Sequence, residues 1–142
     1  MFKKETEYAL WGLVYIQTQN LKGNRPGIDE ICREIEAPSF YTAKILQRLV
    51  RLGFLSSLKG KGGGFFFDTG KPELTLKELI ISTEGDKLIT GCGFGLKHCD
   101  CENPCTLHEQ YAEISNAIEK LVSSETIQSL TRQYILKNKP LQ

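Results

Sequence analysis

The chain has 142 residues, of which 40% are hydrophobic and 25% are charged, and its formal net charge is +1. This length fits one compact domain with an appended helix, and the composition is ordinary for a globular protein. No stretch reaches the roughly 18 to 20 apolar residues that a membrane span needs, and the charged N-terminal segment lacks a signal-peptide pattern. We therefore expect a cytoplasmic protein that does not associate with membranes.

The small net charge hides an uneven distribution of charged residues. Residues 37–67 contain five basic residues and no acidic one, whereas residues 102–125 contain five glutamates and a single lysine. This separation predicts one basic and one acidic face, as expected of a small DNA-binding module.

The first part of the chain is expected to be helical. Apolar residues at three- and four-residue spacing predict a first helix over residues 5–19. Residues 20–27 contain glycine, proline and asparagine and are expected to form a loop. Isoleucines on one helical face then predict a second helix over residues 28–35.

A third helix is expected after a short connection over residues 36–39. Its apolar residues recur every three or four positions up to Leu52. Gly53 is expected to end this helix, because glycine readily adopts the left-handed conformation that follows many helices. Two helices joined by so short a turn are typical of a helix-turn-helix.

The segment after the third helix has the pattern of a β-hairpin. Residues 54–58 and 65–67 are the expected strands, and residues 59–64 (Lys-Gly-Lys-Gly-Gly-Gly) form the tip. A tip with two cations and little side-chain bulk can approach a phosphate backbone or a minor groove closely. One or two of the three phenylalanines of the returning strand are interpreted as facing the core and stiffening the hairpin, rather than as base-stacking groups.

A short helix and an irregular loop are expected next. Thr75, with Glu78 three residues later, predicts a capping box that opens a helix over residues 75–81. Residues 90–104 are rich in glycine and cysteine and contain a proline, so they predict a loop.

The last part of the chain is expected to contain a long helix followed by another. Thr106, with Glu109 three residues later, is expected to cap the long helix. A final helix is expected over residues 125–136. The apolar positions of the long helix form one seam, which consists of Leu107, Tyr111, Ile114, Ile118, Leu121 and Val122.

Several motifs of the chain resemble those of the Rrf2 family of bacterial transcription regulators, over about residues 2–136. They are Thr6-Glu7-Tyr8-Ala9-Leu10, Pro38-x-x-Tyr41-x-x-Lys44-Ile45-Leu46-x-x-Leu49, Gly53-Phe54-Leu55-x-Ser57 and Lys59-Gly60-x-Gly62-Gly63-Gly64-Phe65. The resemblance implies a mainly α fold, a winged helix-turn-helix with a small β-hairpin wing and a long C-terminal dimerisation helix. It also implies a homodimer whose paired wings bind double-stranded DNA at a palindromic operator. The implied dimer interface consists of Leu107, Tyr111, Ile114, Ile118 and Leu121.

This organisation divides the chain into three regions. Residues 1–70 are expected to form the winged helix-turn-helix that binds DNA. Residues 71–105 are expected to hold a linker helix and a cysteine-rich loop, and residues 106–142 the dimerisation helix and the C-terminal helix.

The expected DNA contacts come from the third helix and the wing. In a helix-turn-helix, the N-terminal part of the second helix enters the major groove. Hydroxyl, amide and basic side chains there can bond base edges or phosphates. The predicted contact residues are Ser39, Phe40, Tyr41, Thr42, Lys44, Gln47 and Arg48 of the helix, and Lys59, Lys61, Gly62 and Gly63 of the wing.

Four cysteines cluster in the second half of the chain. Cys92, Cys99, Cys101 and Cys105 lie within fourteen residues, and a histidine occurs on either side of Cys105. Thiolates are soft ligands that suit zinc or an iron–sulfur cluster. The spacing lacks the Cys-x2-Cys pair of most structural zinc sites. Cys32, far from this group, is interpreted as a small buried apolar residue.

The cysteine spacing is similar to that of the cluster-binding members of the family, which regulate cluster biogenesis or sense nitric oxide. The resemblance implies a [2Fe–2S] or [4Fe–4S] cluster held by Cys92, Cys99 and Cys105, with Cys101 as another candidate for the middle ligand. The implied fourth ligand is His108, as in the biogenesis regulators, or Glu7 from the other subunit, as in the nitric-oxide sensors. Proximity to Cys105 favours His108.

Other functions remain open at this point. The thiols could instead form a disulfide switch, bind zinc or have no role, so the alternative is a metal-free regulator controlled by thiols, a small molecule or a partner protein. An enzyme is not expected. The sequence has no Ser/His/Asp arrangement, no phosphate-binding loop and no paired carboxylates in an apolar setting.

Overall fold

The computed structural model describes residues 2–90 and 102–137 of the chain. These ranges are mainly helical with one antiparallel hairpin, as expected, and none of their helices is long and apolar enough to cross a membrane. The elements are α1 (Lys4–Leu21), α2 (Ile28–Glu34), α3 (Ser39–Arg51), β1 (Ser56–Leu58), β2 (Gly64–Phe66), α4 (Leu76–Glu84), α5 (Lys87–Thr90), α6 (His108–Ser124) and α7 (Ile127–Leu136).

Helix α1 lies at the centre of the main hydrophobic core. It packs against α2, α3, β2, α4 and α7. The middle of α1 is buried on most of its sides, which is the pattern of a core helix rather than of a surface helix. Trp11 of α1 meets Tyr134 of α7 edge to face, with 5.4 Å between the ring centroids. The first and last helices of the described ranges therefore pack against each other in the main core.

A second, smaller core joins α4, α5 and α6. Its buried residues are Ile80, Ile89 and Val122, and the half-buried Ile118 packs against them. The hydroxyl of Ser115 donates a hydrogen bond of 2.7 Å to the carbonyl of Ile89, which attaches α5 to α6. The sequence analysis did not predict α5, because four residues are too few to show a helical period.

Two helix ends form as the local sequence predicts. Gly53 follows α3 with φ of +85°, and the amides of Gly53 and Phe54 donate to the carbonyls of Val50 and Leu49, each at 3.0 Å. This is a Schellman motif. At α4 the Glu78 amide donates to the Thr75 hydroxyl, and the Thr75 amide donates to the Glu78 carboxylate, which completes the predicted capping box.

The predicted N-cap at Thr106 is wrong. Helix α6 begins at His108, and Leu107 takes the N-cap position without a side-chain hydrogen bond. The amide of His108 donates instead to the carbonyl of Cys105 at 3.0 Å. This turn around Thr106 moves the helix start beyond the position where the threonine hydroxyl could cap it.

The hairpin forms where it is expected, with shorter strands. Ser56 pairs with Phe66, Ser57 with Phe65, and Leu58 with Gly64. Phe65 is buried, and Phe67 packs against the main core, so the interpretation of the phenylalanines as core-facing residues is confirmed for these two. Phe66 is half-buried and lies on the opposite face of the hairpin from Phe65.

Candidate nucleic-acid interface

The helix-turn-helix consists of α2, a four-residue turn over residues 35–38, and α3. Glu36 has φ of +55°, a left-handed conformation that is uncommon for residues other than glycine. The amide of Ala37 donates to the carbonyl of Cys32 at 2.9 Å, which ties the turn to the end of α2. This tight turn sets the direction of α3 relative to α2.

One stripe of α3 is exposed to solvent. It contains Phe40, Lys44, Gln47 and Arg51, spaced by three or four residues and therefore on the same side of the helix. The ammonium nitrogen of Lys44 lies 4.4 Å from the centroid of the Phe40 ring, which is 74% exposed. Arg51 was not among the predicted contact residues, although its spacing of four from Gln47 indicates the shared face.

Thr42 is the predicted contact residue that the structure contradicts most directly. Its side chain is fully buried, on the face of α3 that also contains Ile45, Leu46 and Leu49, so the prediction that Thr42 contacts DNA is wrong.

Cys32 is buried too, as expected, and this burial raises the pKa of its thiol.

Arg48 is also turned away from the exposed stripe. Its guanidinium forms an ion pair with Glu5 of α1 and donates a hydrogen bond of 2.9 Å to the carbonyl of Ser82 in α4. The guanidinium of Arg48 is thus paired with α1 and α4, and its contact with DNA stays a prediction. The side chain joins α3 to two helices behind it.

The other predicted residues of α3 lie at its beginning. Ser39 is the first residue of the helix and is exposed. Tyr41 is 42% exposed, and its ring meets that of Tyr8 of α1 edge to face, with the centroids 6.0 Å apart. Tyr41 therefore lies at the edge of the exposed stripe, beside α1.

The wing extends the basic surface of α3. At the tip, Lys59, Lys61 and Gly62 are exposed and Gly63 is half-buried. A groove between α3 and the hairpin is lined by Gln47, Arg51, Ser57 and Lys59, among others. Within the described ranges, the two tip lysines, Lys44 and Arg51 form no ion pair. These cations remain available to an anionic ligand.

The wing is attached to the end of α1 by one side chain. The amide of Phe67 donates to Oδ1 of Asn20 at 2.8 Å, and Nδ2 of Asn20 donates to the carbonyl of Phe65 at 3.3 Å. The amide of Phe65 also donates to the carbonyl of Pro26 at 2.9 Å. These bonds fix the base of the hairpin relative to the helices.

The structure tests the predicted metal ligands only in part. Cys92, Cys99 and Cys101 lie outside the described residues, as does His98, which the sequence analysis did not include among the ligands. Cys105 and His108 are both half-buried, and the turn described above brings their backbones together. Glu7 lies on α1, where its carboxylate accepts a hydrogen bond of 3.1 Å from Lys4.

No group of three potential metal-binding side chains occurs among residues 2–90 and 102–137. Of the three predicted ligands in these ranges, Cys105, His108 and Glu7, the first two adjoin each other through the backbone hydrogen bond described above.

The predicted dimer residues lie along α6 with differing exposure. Leu107, Ile114 and Leu121 are 41%, 56% and 57% exposed. Tyr111 is half-buried, and Ile118 packs into the second core. One side of α6 thus presents large apolar side chains that no described residue covers fully.

Comparison with known proteins places this fold among regulators. The model of the Rrf2 family, described as "Iron-dependent Transcriptional regulator", matches residues 2–133. Protein aau3 of Rhizobium meliloti is 29% identical over 131 residues, which cover 91% of this chain and 83% of that protein. The transcriptional regulator IscR of Photorhabdus laumondii is 25% identical over 123 residues, which cover 87% of this chain and 74% of that protein.

A solved structure has the same fold. It is that of CymR, described as the global cysteine regulator of B. subtilis, and it superposes with a TM-score of 0.75 at 17% identity. The match covers 94% of this chain and 97% of CymR. The structural likeness supports the winged-helix architecture described above.

Proposed function

Because the chain belongs to the Rrf2 family of transcriptional regulators, we propose that it binds a palindromic operator as a homodimer, through α3 and the wing. Membership of this family implies DNA binding, and such regulators are not enzymes. In this proposal residues 1–70 bind DNA, residues 71–105 carry the signal-sensing segment, and residues 106–142 hold the two subunits together.

The observation that carries the proposal is the basic surface formed by α3 and the wing. The exposed stripe of α3 presents amide and basic groups that suit base edges and phosphates, and it has the width of a single helix face, which fits the major groove. The glycine-rich tip places two further cations beside it. We assign the base-edge contacts to Lys44, Gln47 and Arg51, and the phosphate or minor-groove contacts to Lys59 and Lys61.

Charge reversal tests this surface. The variants Lys44→Glu and Lys59→Glu are expected to abolish binding to operator DNA selected from a random library with the wild-type protein. Both side chains are exposed, so the variants should keep the wild-type unfolding temperature and oligomeric state. Unchanged affinity in both variants would contradict the proposed surface.

We further propose that Cys92, Cys99 and Cys105 bind an iron–sulfur cluster with His108 as the fourth ligand. Cys101 is the alternative middle ligand, and Glu7 is the alternative fourth ligand. Thiolates with one imidazole are a donor set that fits such a cluster, and the half-buried Cys105 and His108 adjoin each other at the start of α6. When bound, the cluster would supply sensitivity to iron or to oxidants.

The described contacts supply a route from this segment to α3. Cys105 and His108 lie at the start of α6, which packs against α4 and α5. Arg48 connects α4 to α3 through the carbonyl of Ser82. A shift at the start of α6 can therefore change the population of DNA-binding arrangements of α3.

The cluster proposal is tested by replacing Cys92, Cys99 and Cys105 together with alanine. Wild-type protein purified without oxygen should contain iron and sulfide, and its DNA affinity should change when they are removed. The triple variant should contain neither and should have one fixed affinity. A triple variant that still responds fully to iron or oxidant would contradict the proposal.

A metal-free thiol regulator is the second candidate, which the structural likeness to the cysteine regulator CymR favours. Wild-type protein that remains colourless after attempted cluster reconstitution, yet binds DNA differently before and after treatment with a thiol oxidant, would support this candidate.

A further inference from the structure

The loop between α1 and α2 carries an exposed arginine beside the wing. We propose that this residue, Arg25, binds a DNA backbone phosphate and so forms a third part of the DNA-binding surface. The inference rests on the proposed function and adds a contact outside the helix-turn-helix and the wing tip.

The backbone of Arg25 touches the wing directly. Gly64, the first residue of β2, has φ of +145°, and a Cβ atom at this position would lie 2.2 Å from the carbonyl oxygen of Arg25. Only glycine permits so close an approach. Since Gly63 of the tip immediately precedes Gly64, the loop passes within one residue of the tip that carries Lys59 and Lys61.

Side-chain and backbone hydrogen bonds fix the loop in this position. Nδ2 of Asn20 donates to the carbonyl of Asn24 at 2.9 Å as well as to that of Phe65. The carbonyl of Pro26 accepts the amide of Phe65. The residues on both sides of Arg25 are thus bonded, directly or through Asn20, to the same strand of the wing, so Arg25 keeps a fixed place beside the tip.

The side chain of Arg25 is held by an aromatic ring, and its charge is not neutralised by an ion pair within the described ranges. Its guanidinium carbon lies 4.1 Å from the centroid of the Phe66 ring, and Arg25 forms no ion pair with any residue of the described ranges. A guanidinium that lies over an aromatic ring still has N–H groups for hydrogen bonds to an oxyanion. Stacking also reduces the rotamer entropy that binding would otherwise cost.

The charge pattern around Arg25 favours DNA as the ligand. The wing tip beside it carries two lysines, and residues 37–67, which include the wing and α3, contain no acidic residue. A rigid cation next to these groups complements a continuous phosphate backbone. The experiment must distinguish this phosphate contact from a purely structural role, in which the contact between Arg25 and Phe66 only stiffens the wing.

The experiment measures the affinity for a mixed-sequence DNA duplex as a function of salt concentration. Arg25→Ala is expected to weaken binding several-fold and to reduce the slope of log K against log salt by about 0.9 for each bound chain, because one phosphate contact is lost. Arg25→Lys keeps the charge and should retain most of the slope. Lys120→Ala removes the same charge from the acidic helix α6 and should leave the slope unchanged.

The variants separate a phosphate contact from a structural stack. If Arg25 only stiffens the wing, Arg25→Lys and Phe66→Leu should lower both the affinity and the salt slope as much as Arg25→Ala does, because all three would loosen the wing lysines equally. That result would overturn the inference. Arg25→Gln replaces Arg25→Ala if the alanine variant does not fold, and the same loss of slope is expected.

The measurements distinguish a wrong inference about Arg25 from a wrong proposed function. If Lys59→Ala reduces the salt slope and Arg25→Ala does not, the inference is wrong and the proposed surface stands. If neither the wild type nor any variant binds DNA, the proposed function itself is wrong, and the inference with it.

Discussion

The cations of α3 have two different roles. Lys44 and Arg51 extend from the exposed stripe, whereas Arg48 bonds Glu5 of α1 and the carbonyl of Ser82 in α4. Glu5 is largely buried, with 21% of its side chain exposed, so its carboxylate depends on Arg48 for a counter-charge. Losing one partner of such a pair leaves the other poorly solvated.

The variant Arg48→Ala is therefore expected to lower the free energy of unfolding by about 1–2 kcal/mol. The matched variant Arg51→Ala should change it by less than about 0.5 kcal/mol, because Arg51 is exposed. Urea denaturation followed by circular dichroism measures both. Equal stability of the two variants would contradict the bridging role of Arg48.

Tyr15 is expected to make the protein less stable at alkaline pH than at neutral pH. The hydroxyl of this buried residue donates a hydrogen bond of 2.6 Å to Glu30, and burial together with this carboxylate raises the pKa of Tyr15 above its ordinary value. The unfolded chain loses this proton first, so the contribution is present below the ordinary tyrosine pKa of about 10 and is lost as the pH rises above it.

Stability measured by denaturation from neutral to alkaline pH should therefore fall above about pH 10 in the wild type. The variant Tyr15→Phe should be less stable at neutral pH and should lose less of its stability above that pH. The same fall in both proteins would show that other groups cause it.

Sequence periodicity could have placed Thr42, but not Arg48. Thr42 lies three, four and seven residues before Ile45, Leu46 and Leu49, so it belongs to the apolar face of α3. Arg48 lies beside that face, and its contacts with α1 and α4, which are remote in sequence, depend on how the three helices pack. The exposed positions Lys44 and Gln47 could be identified because they lie opposite the apolar face.

The close contact between the wing and the α1–α2 loop depends on Gly64. The variant Gly64→Ala would place its Cβ against the carbonyl oxygen of Arg25, so β2 or the loop would have to move. We expect a loss of at least about 2 kcal/mol of stability, together with weaker DNA binding, because the wing would no longer be held in place.

Gly27→Ala is the matched control for this variant. Gly27 lies near the same loop, has an extended backbone with φ of −87°, and has no atom within 4 Å of the added Cβ. Gly27 is the N-cap of α2, where alanine costs about 1 kcal/mol, so thermal unfolding should show a slightly lowered transition for this control and a clearly lower one for Gly64→Ala. Equal transitions would contradict the tight contact.

Helix ends were predictable where the signal is local. The Schellman motif at Gly53 and the capping box at Thr75 each need only neighbouring residues, and both form. The cap predicted at Thr106 has the same kind of sequence signal but fails, because a turn at Cys105 competes with it. The cysteine ligands could be proposed only by resemblance, since spacing does not fix a three-dimensional arrangement.

The apolar side of α6 determines whether two chains associate. In the proposed dimer, the partner chain covers the exposed side chains of Ile114 and Leu121. The variant Ile114→Glu would bury a carboxylate there, so we expect it to be monomeric at concentrations where the wild type is a dimer, and to bind the operator more weakly.

Asn116→Glu is the control, because it adds the same charge to the opposite side of α6, where the residue is exposed. Analytical ultracentrifugation of the wild type and both variants gives the oligomeric state. A monomeric wild type, or an Ile114→Glu variant that remains dimeric, would contradict this interface.

The packing of α1 against α7 has a consequence for synthesis on the ribosome. Helix α1 emerges first, but Ile127 and Tyr134, which cover part of its apolar surface, are translated only after the wing and the acidic helix. A nascent chain therefore keeps part of this surface uncovered for most of its translation, the period in which chaperones bind exposed apolar segments. Ribosomes that stall before residue 127 would hold a DNA-binding half with an incomplete core.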